Sequence, residues 1–143
     1  AHDVENIVAV KEASGNMEQI KRIIEESPDT FQVYSGDDEA TLSIMKMGGA
    51  GVNSRIGNVA PARMKELVEL AAAGDYDGAQ AAHNALQPLM KELFATSNPI
   101  LVKEALKLLG FPVGGVRLPL VDATPAQSER LAAIMREVGV LDA

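Results

Sequence analysis

Two periodicities divide the chain. From Ile7 to about Gly74, short apolar runs alternate with stretches whose apolar residues recur every three or four positions; from Asp75 onward only the second pattern remains. The short runs are Ile7–Val10, FQVYSG (Phe31–Gly36) and AGVNSRI (Ala50–Ile56), and each reads as a strand. Ile7–Val10 is apolar throughout, the pattern of a strand buried on both faces, and Glu12 to Gly15 then turn the chain. A helix follows from Asn16, with Gln19 three residues on as in a capping box and Met17, Ile20, Ile23 and Ile24 along one face. It stops before Pro28. A second helix presents Ala40, Ile44 and Met47, and ends at Gly48 and Gly49, residues suited to a left-handed cap. A third starts near Pro61, where a first turn tolerates proline, and carries Met64, Leu67, Val68 and Ala71. Three consecutive strand–helix units with short connections imply an α/β fold with a parallel sheet.

The remainder reads as helices. Asp75 to about Thr96 is one segment with Ala79, Leu86, Leu89, Met90, Leu93 and Phe94 inward, and Pro88 inside it removes a backbone donor and should kink it. Asn98 and Pro99 open another helix, with Val102, Ala105, Leu106 and Leu109 buried. After an extended connector, Thr124, Pro125 and Gln127 start the last one, buried through Leu131, Ile134, Met135 and Val138. Residues 1–74 therefore form a strand–helix part and residues 75–143 a helical tail. A flavodoxin-like domain is disfavoured, because the chain ends in helices where such a fold would add strands.

Composition narrows the function. With 143 residues, 47% of them hydrophobic, the chain is one domain's worth and can bury a core. It has no cysteine, which excludes disulfides, thiolate metal sites and a cysteine nucleophile and fits a reducing, cytoplasmic setting. A net charge of −7 argues against nucleic acid and anionic membranes as partners. No apolar stretch approaches the ~18 residues of a membrane span, and AHDVEN at the start lacks the features of a signal peptide. His2 and His83 have no metal-ligand spacing, so no metal is implied. There is no phosphate loop, GxGxxG or GxSxG.

Lys11 is the candidate for chemistry. It ends the first apolar run, and a lysine at the carboxyl end of a parallel strand points into the mouth where α/β folds bind ligands. An apolar surround disfavours an ammonium and so favours the free amine that Schiff-base formation needs. The plainer alternative is a lysine whose head reaches solvent at a strand end.

Six motifs occur in order: Lys11 in VKEASGN, Gly36 in SGDD, GGAGV (Gly48–Val52), GNVAP (Gly57–Pro61), NPILVK (Asn98–Lys103) and RLPL (Arg117–Leu120). Together they resemble the C-terminal half of the dihydrodipicolinate synthase branch of the class I pyruvate-dependent aldolases and lyases, a family that includes N-acetylneuraminate lyase. The resemblance covers essentially the whole chain. It implies an α/β fold, the C-terminal part of a (β/α)8 barrel: strands six to eight as three parallel units in residues 1–74, then the tail. It implies that Lys11 attacks the ketone of pyruvate, and that the imine becomes an enamine which adds to a small aldehyde. In this branch the aldehyde is aspartate semialdehyde, on the route to lysine. Gly36 would bring its backbone close to pyruvate, while Asp37 and Asp38 read as helix caps in preference to catalytic acids. No cofactor is implied.

Two features qualify the transfer. The family's proton-relay residues, carboxylate loop and aldehyde-binding arginine belong to a half this sequence does not contain, so turnover by this piece alone is not expected. Members also read GVISV where this chain has Gly51, Val52, Asn53, Ser54 and Arg55, and strand alternation puts Asn53 and Arg55 on one face. Either they serve a changed substrate as binding residues, or they adapt, naturally or by engineering, a face that meets water. The function expected is therefore a Schiff-base pyruvate lyase fragment, acting with a missing N-terminal half or as a homo-oligomer. The alternative is a catalytically incomplete half-barrel scaffold whose main property is self-assembly.

Overall fold

The computed structural model describes residues 3–142; His2 lies outside them. Three parallel strands, β1 (Ala9–Glu12), β2 (Gln32–Ser35) and β3 (Gly51–Val52), lie in the order β1-β2-β3. They alternate with α1 (Met17–Glu26), α2 (Thr41–Lys46) and α3 (Pro61–Ala72), as the alternating pattern requires. The helices α4 (Tyr76–Glu92), α5 (Ile100–Leu108) and α6 (Pro125–Glu137) follow. Among the described residues no helix is long and apolar enough to cross a membrane.

By packing, the chain forms two units. One comprises the residues up to Ser54 with Lys65–His83; the other comprises Arg55–Met64 with the residues from Asn84 on. The change from strand–helix units to helices falls between α3 and α4, at residues 74 and 75, but the packing boundaries fall inside both helices. A helix that begins against one layer and ends in another is invisible to a division made by element type.

In the first unit, alternation sorts the strand residues. Val10 and Val33 face the helices and pack with Ile20, Ile44, Met17, Ile23 and Ile24. The Asn16 side chain accepts from the Gln19 amide at 3.1 Å and starts α1 as expected. Gly48 has φ +104°, the left-handed geometry expected there, whereas Gly49 serves close approach, since a Cβ would come within 2.5 Å of Ile44. Leu42, Met45, Ala71 and Ala79 form a further apolar cluster.

Three strand expectations are corrected. The first strand is Ala9–Glu12, so Lys11 and Glu12 lie within it, and Ile7 and Val8 are 50% and 60% exposed instead of buried on both faces. Among the described residues β1 pairs with β2 alone. The third strand stops after Val52. Arg55 has helical dihedrals and starts a 3₁₀ turn, Ile56–Asn58, so Asn53 and Arg55 do not share a strand face.

In the helical unit, Leu86, Leu89, Met90, Leu93, Leu101, Ala105, Leu131 and Met135 are completely or almost completely buried. The helix α4 is continuous through Pro88. Phe94, expected inside, lies beyond the end of α4 and is 49% exposed. The start of α6 carries the full capping box: Gln127 donates its amide to Thr124 Oγ1, and Thr124 its amide to Gln127 Oε1.

Candidate active site

Lys11 projects from the carboxyl-terminal half of β1, directly opposite Tyr34 on β2, which is in turn opposite Gly51 on β3. These positions line the sheet face away from the helices. A cavity of about 550 Å³ opens there, lined by Ala9, Val10, Lys11, Tyr34, Val52, Asn53 and Ser54. Its size suits a small ligand. The ends of all three strands contribute to it, which is the position α/β folds use for binding.

Gly36 explains how the lysine fits. Its amide donates to the Glu12 carbonyl at 2.7 Å, bringing the two strand ends together. A Cβ at Gly36 would stand 2.7 Å from the Ala13 Cβ and 3.0 Å from the Lys11 Cε. The Ala13 contact excludes a side chain at this position, and the lysine stem lies against the space left open. The structure brings Gly36 beside the Lys11 stem; the role expected for its backbone, close approach to pyruvate, is a separate matter.

The lysine's surroundings differ from the apolar enclosure expected. Lys11 is exposed, and among the described residues nothing forms an ion pair or a hydrogen bond with its amine. Lys21, Lys65 and Lys107, by contrast, pair with carboxylates. Tyr34 donates its hydroxyl to Gln32 at 2.5 Å, and Ser54 donates to Asp38 at 2.5 Å. That leaves the Asn53 side-chain amide as an uncommitted polar group beside Lys11 in the cavity.

Arg55 is elsewhere. It belongs to the helical unit, where its guanidinium lies 3.2 Å from the centre of the Phe94 ring. Asp37 does cap a turn, accepting from the Glu39 amide at 3.1 Å, but this turn precedes α2. Asp38 is 1% exposed; its carboxylate accepts from Ser54, just beyond β3, and its carbonyl accepts the Thr41 amide at the start of α2. His83 is buried on α4, and its Nδ1 has no hydrogen-bond partner among the described residues. No group of three or more histidine, cysteine or acidic side chains suited to a metal occurs among the described residues.

Tyr34 and Glu12 are the residues the sequence did not single out. The signal for Tyr34 was available: two parallel strands aligned at their polar ends put it beside Lys11. Glu12 was read as part of a turn, which hid its place at the strand end.

The model of the dihydrodipicolinate synthetase family matches residues 1–138. The chain belongs to this family. The 4-hydroxy-tetrahydrodipicolinate synthase of Moorella thermoacetica is 50% identical over 139 residues, which cover 97% of this chain and 48% of that protein. The corresponding Bacillus subtilis enzyme is 45% identical over 138 residues, 96% of this chain and 48% of its own length. Among solved structures, dihydrodipicolinate synthase from Aquifex aeolicus superposes with a TM-score of 0.94 at 39% identity, over 97% of this chain and 47% of that one. A structure described as the first monomeric dihydrodipicolinate synthase variant gives 0.93 at 40% identity, over 97% and 47%.

This chain thus spans about half the length of its dihydrodipicolinate synthase relatives. These shares measure extent. The expected assignment to strands six to eight of a C-terminal half is accordingly replaced by the coarser statement they carry: three parallel strand–helix units and helices, matching about half of a dihydrodipicolinate synthase chain.

Proposed function

We propose that this chain supplies the Schiff-base lysine of a pyruvate lyase of the 4-hydroxy-tetrahydrodipicolinate synthase type, and that Lys11 is that lysine. The observation that carries the reading is the passage of the Lys11 stem over Gly36 into a cavity at the strand ends. In the reaction, the neutral Nζ adds to the ketone carbon of pyruvate and the carbinolamine loses water to give an imine. Loss of a methyl proton turns the imine into an enamine, which attacks the aldehyde carbon of aspartate semialdehyde. The aldehyde oxygen takes up a proton, and water then releases the lysine.

Gly36 keeps the path clear, and its backbone lies next to the bound keto acid. Asn53 offers one donor and one acceptor to the substrates from the cavity wall. Arg55, held against Phe94, takes part in substrate binding only by leaving that ring. The groups that move protons come from the rest of a barrel about twice this length, and the protein works as a homo-oligomer.

The test is pyruvate consumption by the full-length protein in the presence of aspartate semialdehyde. Lys11→Ala should abolish it while the fold survives. Undiminished turnover in Lys11→Ala would overturn the assignment.

A further inference from the structure

The exposed amine of Lys11 raises a question of aim. A lysine side chain has many rotamers to choose from, and a nucleophile must approach its carbonyl along a restricted path. Gly36 leaves the stem room but does not direct it. Direction has to come from the backbone at the end of β1.

Glu12 holds that backbone. It is 8% exposed, follows Lys11 directly, and points to the helix side of the sheet, where its strand neighbour is the fully buried Ser35. Its peptide is gripped twice. The carbonyl accepts the Gly36 amide at 2.7 Å, and the carboxylate accepts the Ser14 amide at 2.6 Å. Ser14 accepts in turn from the Asn16 amide at 3.2 Å, and Asn16 caps α1 through Gln19. One chain of hydrogen bonds therefore runs from the peptide after the lysine to the first turn of the next helix.

The carboxylate is charged and without a cation among the described residues. Hydrogen bonds from Ser14, above all, hold its carboxyl below the usual range against the opposing effect of burial, with Gln19 and the Ala13 amide adding to them. A hydroxyl side chain could brace a turn of this kind, as Ser35 does by bonding to the Asp37 amide and carbonyl. A buried carboxylate is the costlier device, and it is the stiffer one, because hydrogen bonds to a charged acceptor are shorter and stronger.

We propose that Glu12 is a positioning residue for Lys11: by clamping the β1–α1 turn it fixes the direction in which the lysine leaves the strand. This rests on the reading of Lys11 as the imine-forming residue. It predicts that loosening the clamp slows imine formation at saturating pyruvate more than it changes the pyruvate concentration needed for half the maximal rate.

The experiment is the rate of borohydride trapping of pyruvate on the full-length protein, followed by peptide mapping, for the wild type and three variants. Glu12→Gln keeps an acceptor for the Ser14 amide without the charge, and its rate should fall between the wild type and the two variants that follow. Glu12→Asp draws the carboxylate back by one methylene, and Glu12→Ala removes it. Both should lower the saturated rate by about tenfold, the scale expected when a reacting group is misplaced by less than 1 Å. If Glu12→Ala does not fold, the contrast between Gln and Asp carries the test. Folded Asp and Ala variants that trap at the wild-type rate would overturn the proposal. Absence of a Lys11 adduct in the wild type would overturn the underlying reading instead, so the two failures are distinct.

Discussion

The sheet unit and the helical unit solve the problem of burial in opposite ways. In the helical unit, Leu89, Met90, Leu101, Leu131 and Met135 are sealed on all sides, and its polar contacts lie around that core: Arg130 meets Glu92 at 2.8 Å, and Ser128 meets Glu104 at 2.6 Å. In the sheet unit only one face is sealed. Val10 and Val33 pack against helices, while Ala9, Lys11 and Tyr34 on the other face line an open cavity. The chemistry proposed for Lys11 belongs to the face that packing left open. Stability and reactivity are thus assigned to different residues, and substitutions should separate them.

The largest effect on stability belongs to the sealed core. Met135→Ala should cost about 2–5 kcal/mol through lost contacts and a residual cavity, seen as a lower midpoint in denaturant unfolding. Borohydride trapping at Lys11 under native conditions should be unchanged. Gly36→Ala should cost less, about 1–3 kcal/mol for forcing a methyl into filled space, but it should sharply reduce trapping, because the new methyl meets the Lys11 stem. A single methyl that harms reactivity more than a core truncation does would be the clearest sign of the division.

Smaller effects follow. Thr124→Ala removes the α6 cap and should cost about 1 kcal/mol without any change in trapping. The smallest concerns His83. Burial lowers its pKa from the ordinary 6.5, with Glu39 opposing the shift and Lys46 adding to it. A depressed value means that the unfolded chain binds the proton more readily. The stability contribution is therefore complete above about pH 6.5 and declines as pH falls through the region below it. Unfolding midpoints measured on both sides of that pH should show the decline in the wild type and a flatter profile in His83→Gln.

The sequence made the alternation of strands and helices readable because each element carries its own period and its own stops, such as Asn16, Pro28, Pro61 and Thr124. The order of motifs singled out both Lys11 and Gly36, which the structure places side by side. What it hid depended on neighbours. Ile7 and Val8 look like a buried strand, but burial on two faces needs a layer packed on each, and both residues precede β1 and are exposed. Asn53 and Arg55 alternate as strand residues do, yet the chain turns into a 3₁₀ segment, and Arg55 finds Phe94, which lies 39 positions further along the chain. The bond from Ser54 to Asp38 was out of reach of local pattern, since 16 positions separate the two. Local pattern sets the elements. Long-range partners decide what the residues at their ends do.

The central claim is that the open face of the sheet carries a reactive amine at Lys11, and the most direct measurement is borohydride trapping with pyruvate followed by mass-spectrometric mapping of every lysine. A reduced pyruvate adduct confined to Lys11 is the result predicted. Equal labelling of Lys11, Lys21 and Lys65, or no adduct on a folded protein, would contradict it.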